Sequence, residues 1–325
     1  MFAYASQGIS MTHVVYVGID VAKETLDIAV SDRPVLRAAN TRAGHGRVIE
    51  RLQAIPGACA VMESTGIYGR NLAQALQAAG IPVAVVQPGR VRHFALSHGR
   101  LAKTDQIDAM MIARFGAAMQ PRVLKQASPQ IERLRAVSDR RTQVIEDRVR
   151  EGNRLEACCD AAIAKELRTS IKRLEASEVK LDREIARIIA SDAVLAAKNA
   201  LLQEEPGVGP QTAAVLLAQL PELGTVNRQQ ISALAGVAPY DNSSGPRDGQ
   251  RHIRGGRAQV RRAMYLSAVS ASRWNSHLSD LYQRLLAKGK KKPLALIACA
   301  RKLLVRLNTI LADAMPRFQP TTTPP

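Results

Sequence analysis

The sequence predicts an α/β domain at the N-terminus, a helical middle and a mainly α-helical C-terminal domain. Three observations carry this reading. Residues 13–128 alternate short β-branched runs with helical segments. Residues 130–197 hold one glycine, Gly152, and place apolar residues on a 4-3 spacing. From residue 199 onward, a Gly-Pro turn, further helical segments and one long irregular loop follow. The divisions are 13–128, 129–198 and 199–318, with residues 1–12 and 319–325 expected to be disordered. Met11 offers a second start, which would make residues 1–10 an extension.

The first domain begins with Val14, Val15 and Val17, passes through Gly18 and Ile19, and reaches Asp20. A second run, Leu26, Ile28 and Val30, alternates as a strand does, so two strands joined by a tight turn are expected. A carboxylate ending a buried strand is costly unless it is paired or bound to a metal. A turn-capping role is the plainer alternative. A short strand (Leu36 to Asn40), a helix (His45 to Gln53) and a strand (Cys59 to Met62) follow, and the last of these delivers Glu63. A helix (Arg70 to Ala79) and a strand (Pro82 to Val86) lead to a basic segment, Arg90 to Lys103. Thr104 then suits an N-cap for a helix from Asp105 to Met119. Asp105 and Asp108 are three residues apart and share a helical face in the first turn, where they would also complement the helix dipole.

In the middle segment, Leu167, Ile171, Leu174, Leu181, Ile185 and Ile188 form a heptad seam, with Glu178 in the missing slot. A long helical hairpin or coiled coil is expected, the seam packing within one subunit or between two. In the C-terminal domain, EEPGVGPQTAA opens a helix. Gly207 and Gly209 permit close backbone approach, as in a helix-hairpin-helix that grips a nucleic-acid backbone. A simple turn between packed helices is the competing reading. The loop 238–256 is too long and irregular for an ordinary connection and carries Ser243, Ser244, Arg247, Arg251, His252 and Arg254. Arg257, Arg261 and Arg262 follow it. A hydroxyl beside clustered arginines suits phosphoryl transfer, while composition alone favours a solvated basic loop that binds DNA passively. A second basic patch includes Lys290, Lys291 and Lys292.

The net charge of +18, from 46 basic and 28 acidic side chains, calls for a polyanionic partner. No apolar run approaches the ~20 residues that span a bilayer, and no signal peptide is visible, so a cytoplasmic, nucleoid-associated protein without a membrane partner is expected. Cys59, Cys158, Cys159 and Cys299 lack zinc spacing and are read as reduced thiols. Aromatic residues make up only 3%, which argues against a base-stacking surface of the RRM or OB type. Four carboxylates, Asp20, Glu63, Asp105 and Asp108, would repel one another at a common site unless cations neutralise them. Magnesium takes oxygen ligands and phosphate oxygens together. Strand-borne Asp and Glu with a helix-borne Asp pair is the layout of an RNase H-like nuclease.

VGIDVAK, MESTGIY, KTDQIDA, PGVGPQTAA and a Ser-Gly loop leading to GGRAQVRRAMY occur in this order from about Val14 to Leu311. Together they resemble the DEDD-type insertion-sequence transposases, recombinases guided by a bridge RNA that the element encodes. The resemblance implies a RuvC-like (RNase H-like) N-terminal domain, a coiled-coil dimerisation segment and a C-terminal domain with a nucleophilic serine. By motif, the metal-binding tetrad is Asp20, Glu63, Asp105 and Asp108, with Mg2+ as cofactor, and the serine preceding Gly is Ser244. Ser243 stands where the family usually has a charged residue, a departure that keeps both serines in view. The resemblance further implies a covalent phosphoserine intermediate, a composite site assembled across the protomers of a dimer or tetramer, donor and target DNA as substrates, and sequence choice delegated to RNA pairing. Nucleic-acid contacts are expected from Arg100, Lys103, Gly207, Gly209, Arg247, Arg251, Arg254, Arg257, Arg261, Arg262 and Lys290 to Lys292.

Three other functions fit parts of the pattern. A RuvC-like junction nuclease would use the tetrad without a covalent step. An actin-like ATPase shares Gly-Ile-Asp but would need a later Gly-rich adenosine site, which is missing from the sequence. A non-enzymatic module would show only salt-dependent binding.

Overall fold

The computed structural model describes residues 14–31, 33–63, 68–99, 105–242, 251–314 and 316. The chain forms two compact units, residues 1–126 and 127–325. In the first, β1 (Val15–Val21), β2 (Thr25–Val30), β3 (Arg33–Ala39), β4 (Ala58–Glu63) and β5 (Val83–Val86) build one mixed sheet in the order β3-β2-β1-β4-β5. Short turns join β1, β2 and β3, so these run antiparallel. The crossovers through α1 (Arg42–Gln53) and α2 (Arg70–Ala78) bring β4 and β5 back parallel to β1.

Strand alternation sorts the side chains onto two faces. Val17, Ile19, Val21, Leu26 and Ile28 point to one face and pack with Val48, Leu52, Leu72 and Leu76 of α1 and α2. Val61, Ala84 and Val86 point to the other, where α3 (Pro88–Ser97) and α4 (Asp105–Met119) contribute Val91, Ala95, Ile112 and Phe115. The basic character of residues 90–103 conceals α3. Pro88 in the first turn starts it, and Val91 and Ala95, four residues apart, are buried.

In the second unit, α5 (Pro129–Glu156) and α6 (Ala161–Ala190) pack along each other as a helical hairpin, with N-caps Ser128 and Asp160. The heptad seam lies partly within this chain: Leu167, Ile185 and Ile188 are buried. Glu178, in the missing apolar slot, faces α5, accepting from Arg141 Nη2 at 3.0 Å and Arg148 Nε at 3.3 Å. A single core joins Leu134, Ile185 and Ile188 to the remaining helices: α7 (Ala193–Gln203), α8 (Pro210–Gln219), α9 (Arg228–Leu234), α10 (Ala258–Trp274), α11 (Ser276–Ala287) and α12 (Lys292–Ala314). The loop read as irregular closes with two short paired strands, β6 (Pro239–Tyr240) and β7 (His252–Ile253). All four cysteines are free thiols. Among the described residues no helix is long and apolar enough to cross a membrane.

Candidate active site

One face of the first sheet carries a row of charges in register. Arg37 on β3 pairs with Asp27 on β2, and Asp27 pairs with Asp20 on β1. One step beyond the paired Ile19 and Met62, Asp20 and Glu63 follow on the neighbouring strands β1 and β4. Residues paired across adjacent strands share a face, so Arg37, Asp27 and Asp20 project from the α4 side.

Gly18 explains how α4 reaches this row. A Cβ at Gly18 would overlap the carbonyl oxygen of Ala109 and the backbone nitrogen of Ala113, and would stand 3.0 Å from Ala113 Cα. The helix backbone therefore rests on the bare strand. At Gly116 a Cβ would stand 2.8 Å from Val61 Cγ2 and 3.0 Å from Tyr16 Cβ. These contacts set the first turn of α4, with Asp105 and Asp108, over the end of β1.

This proximity has an electrostatic consequence. The half-buried Asp20 carboxyl is pushed up to about 6, first by burial, then by the charges of Asp108 and Asp105, with Asp27 adding to the effect against one backbone hydrogen bond from Val21. Asp27 is buried, at 4% exposure. Burial raises its pKa, Arg37 opposes that rise, and Asp105 adds to it. Arg37 spans two acids: Nε lies 3.7 Å from Asp27 Oδ2, and Nη2 lies 3.8 Å from Asp105 Oδ2. Asp27 and Arg37 escape the sequence reading, although an Asp between Leu26 and Ile28 must face away from their core.

Among the described residues, no three His, Cys, Asp or Glu side chains converge closely enough to hold one ion. Coulombic influence reaches well beyond the roughly 2 Å of a Mg2+–oxygen bond, so mutual repulsion and the lack of a ready-made cage are compatible. The donor set still fits a hard divalent cation. It consists of oxygens only and includes one acid, Asp20, that burial and its neighbours keep from ionising at its ordinary pKa.

A polar brace borders this end of the sheet. Asn40 Nδ2 donates to Ala22 O at 2.9 Å and to Tyr68 O at 3.1 Å. Its Oδ1 is left to accept from His45 Nε2 at 2.8 Å, and burial lowers the His45 pKa, favouring the neutral ring. Beside the brace is a cleft of about 310 Å3, lined by Lys23, Asn40, Tyr68, Arg70 and Asn71.

In the second unit, Ser243, Ser244 and Arg247 lie outside the described residues, as do Arg100, Lys103 and Thr104 in the first. Gly207 adopts φ +100°, and a Cβ there would stand 2.5 Å from Ala271 Cβ, so this glycine serves helix packing. Gly209 has open space around it and caps α8 without a side-chain bond. Several arginines are engaged within the chain. Arg257 grips Glu222 through two bonds of 2.6 and 2.7 Å. Arg261 donates to Gly255 O at 2.7 Å, and Arg262 lies 3.5 Å from Glu146. Arg251 pairs with Asp241, and the Arg254 guanidinium sits 5.3 Å from the Tyr240 ring centre. Lys290, Lys291 and Lys292 are exposed.

Residues 17–164 match the transposase family model DEDD_Tnp_IS110, and residues 199–283 match the model described as Transposase IS116/IS110/IS902 family. A pilin gene-inverting protein of Moraxella bovis is 27% identical over 313 residues, covering 93% of this chain and 97% of that protein. Its namesake in Moraxella lacunata is 26% identical over the same length. An uncharacterized 43.6 kDa protein of insertion element IS110 from Streptomyces coelicolor is 37% identical over 116 residues, covering 35% of this chain and 28% of that one. The class so defined is a DNA transposase or recombinase, an enzyme whose substrate is DNA. More specifically, the chain carries IS110-family transposase domains, and a domain of the DEDD type suggests a divalent metal cation.

Proposed function

We propose that this transposase cuts and rejoins DNA through a serine nucleophile, Ser244, assisted by the acidic tetrad Asp20, Glu63, Asp105 and Asp108 holding Mg2+. The observation that supports the reading is that Asp20 and Glu63 each follow the paired Ile19 and Met62 on neighbouring strands, with Asp105 and Asp108 near enough to raise the Asp20 pKa. The mixed five-stranded sheet is compatible with a RuvC-like domain.

Asp20 and Glu63 end neighbouring strands, while Asp105 and Asp108 come from a helix pressed onto Gly18. Together they would supply the oxygen ligands for Mg2+, which when bound would neutralise charge on a phosphodiester. Ser244 Oγ gives up its proton and bonds to phosphorus. The bond from phosphorus to the leaving sugar oxygen breaks, and that oxygen takes a proton. One phosphoester replaces another, so rejoining by the reverse step needs no outside energy source. A bridge RNA pairs with donor and target DNA and selects the sequences, and the protein works as a homo-oligomer, a dimer or tetramer.

The test is adduct trapping on labelled donor and target DNA with Mg2+ and the co-purifying RNA. Ser244→Ala loses the covalent protein–DNA species, and Ser243→Ala keeps it. The reverse result moves the nucleophile one residue. Cleavage that survives in the double variant yet fails in Asp20→Asn replaces the covalent route with hydrolysis by a junction nuclease.

A further inference from the structure

The chain has a single tryptophan, Trp274, and it is 77% exposed. Large aromatic side chains normally bury most of their surface, and Trp is enriched where a partner supplies the missing contact. Trp274 ends α10, on which Leu266 is 60% exposed. The helix sequence AQVRRAMYLSAVSASRW contains no acidic residue, and Arg273 beside the tryptophan is exposed.

The position of Trp274 relative to the 205–209 turn is defined by its neighbours. Gly207 rests on Ala271, three residues before Trp274 and therefore adjacent to it on the helix surface. The next residue, Asn275, donates from Nδ2 to Glu205 Oε1 at 2.7 Å and reaches Pro206 O at 3.5 Å. Glu205 is buried and also pairs with Arg306 of α12. The turn that opens α8 and the end of α10 are thus one rigid corner, with Trp274 left projecting from it.

We propose that Trp274 stacks on an unpaired DNA base at this corner, while Arg273 and the uncapped start of α8 take the adjoining phosphates. The proposal rests on the reading of DNA as the substrate. Strand exchange exposes unpaired bases, and an indole face accepts any of them. Charge selects this occupant over a second copy of the chain: two such faces meeting symmetrically would set Arg273 against Arg273, whereas a polyanion complements them.

Because there is one tryptophan, its fluorescence reports on this corner alone. Titration of the full-length protein with single-stranded oligothymidine is expected to quench the emission strongly, with duplex DNA of equal length quenching less. Trp274→Ala should weaken single-strand binding, followed by anisotropy of a labelled oligonucleotide, by about 5- to 100-fold, and Trp274→Phe should restore most of it. Single-stranded DNA that binds by anisotropy with unchanged emission overturns this inference and leaves DNA as the substrate. Absence of any DNA binding overturns both. Quenching by single-stranded RNA alone replaces the DNA base with an RNA base and overturns the choice made here. Emission that changes with protein concentration in the absence of nucleic acid assigns the face to self-association instead.

Discussion

Asp20 and Asp27 stand directly opposite each other on the antiparallel strands β1 and β2, on the face where α4 sets down Asp105 and Asp108. Two carboxylates in that relation repel, and here the inner one is almost completely buried. Arg37 is the cation that reaches both Asp27 and Asp105. Asp108, Asp105 and Asp27 all raise the pKa of Asp20, and the following predictions test the consequences of that repulsion.

Asp20 should cost the metal-free protein stability at neutral pH. Its carboxyl is raised from the ordinary 3.8 to about 6 by burial and then by Asp108 and Asp105. An acid with a raised folded-state pKa is fully tolerated below 3.8, and the fold loses that tolerance as pH rises through about 6. Thermal melts in chelator should show Asp20→Asn more stable than the parent at pH 8, with the difference closing as pH falls to 4. Adding Mg2+ should raise the melting temperature of the parent alone. Identical melting profiles for the two proteins across this range would contradict the assigned geometry.

Asp27 and Arg37 should tune the metal response without contacting the ion. Asp27→Asn removes a nearby negative charge and leaves Arg37 with Asp105 only. The Mg2+ concentration for half-maximal cleavage should rise about 10- to 100-fold, the range typical for residues that support metal ligands. Arg37→Lys keeps the charge but loses the two-pronged reach, and should fall between the parent and Arg37→Ala. Thermal shift titrated with Mg2+ gives the same ranking independently of cleavage.

Gly18→Ala should dislodge α4. The added methyl has no space against Ala109 and Ala113, and overpacking of this kind costs roughly 1–3 kcal/mol. Chemical denaturation of the first unit should register that loss. Metal-stimulated cleavage should fall further than stability does, because the displaced helix carries half of the acidic tetrad. Gly89→Ala, where a Cβ meets nothing within 4 Å, is the control.

The alternation of strands and helices in residues 13–128 was legible because periods of 2 and 3.6 are properties of local sequence. Asp20 and Glu63 stood out for the same reason: each interrupts an apolar run at its end. Asp27 did not, because a polar residue inside an alternating strand reads as the solvent side until a helix is known to cover that side. Gly18 was equally silent, since its use depends on a helix ninety residues later. Glu178 marked a gap in the heptad, but its partners Arg141 and Arg148 are set by the way the hairpin folds back. The low aromatic content was legible, yet a composition cannot tell a buried tryptophan from an exposed one.

The turn between β1 and β2 contains three residues, Ala22 to Glu24, closed by a bond from Ala22 N to Thr25 O of 2.9 Å. Strand residues alternate sides, so inserting or deleting one residue there would invert β2. Leu26 and Ile28 would then face the acids, and Asp27 would enter the aliphatic core. Substitutions at positions 22 to 24 are cheap by comparison. Among descendants of this gene, the turn should therefore drift in composition while its length stays constant, and single-codon insertions there should mark copies of the element that no longer move.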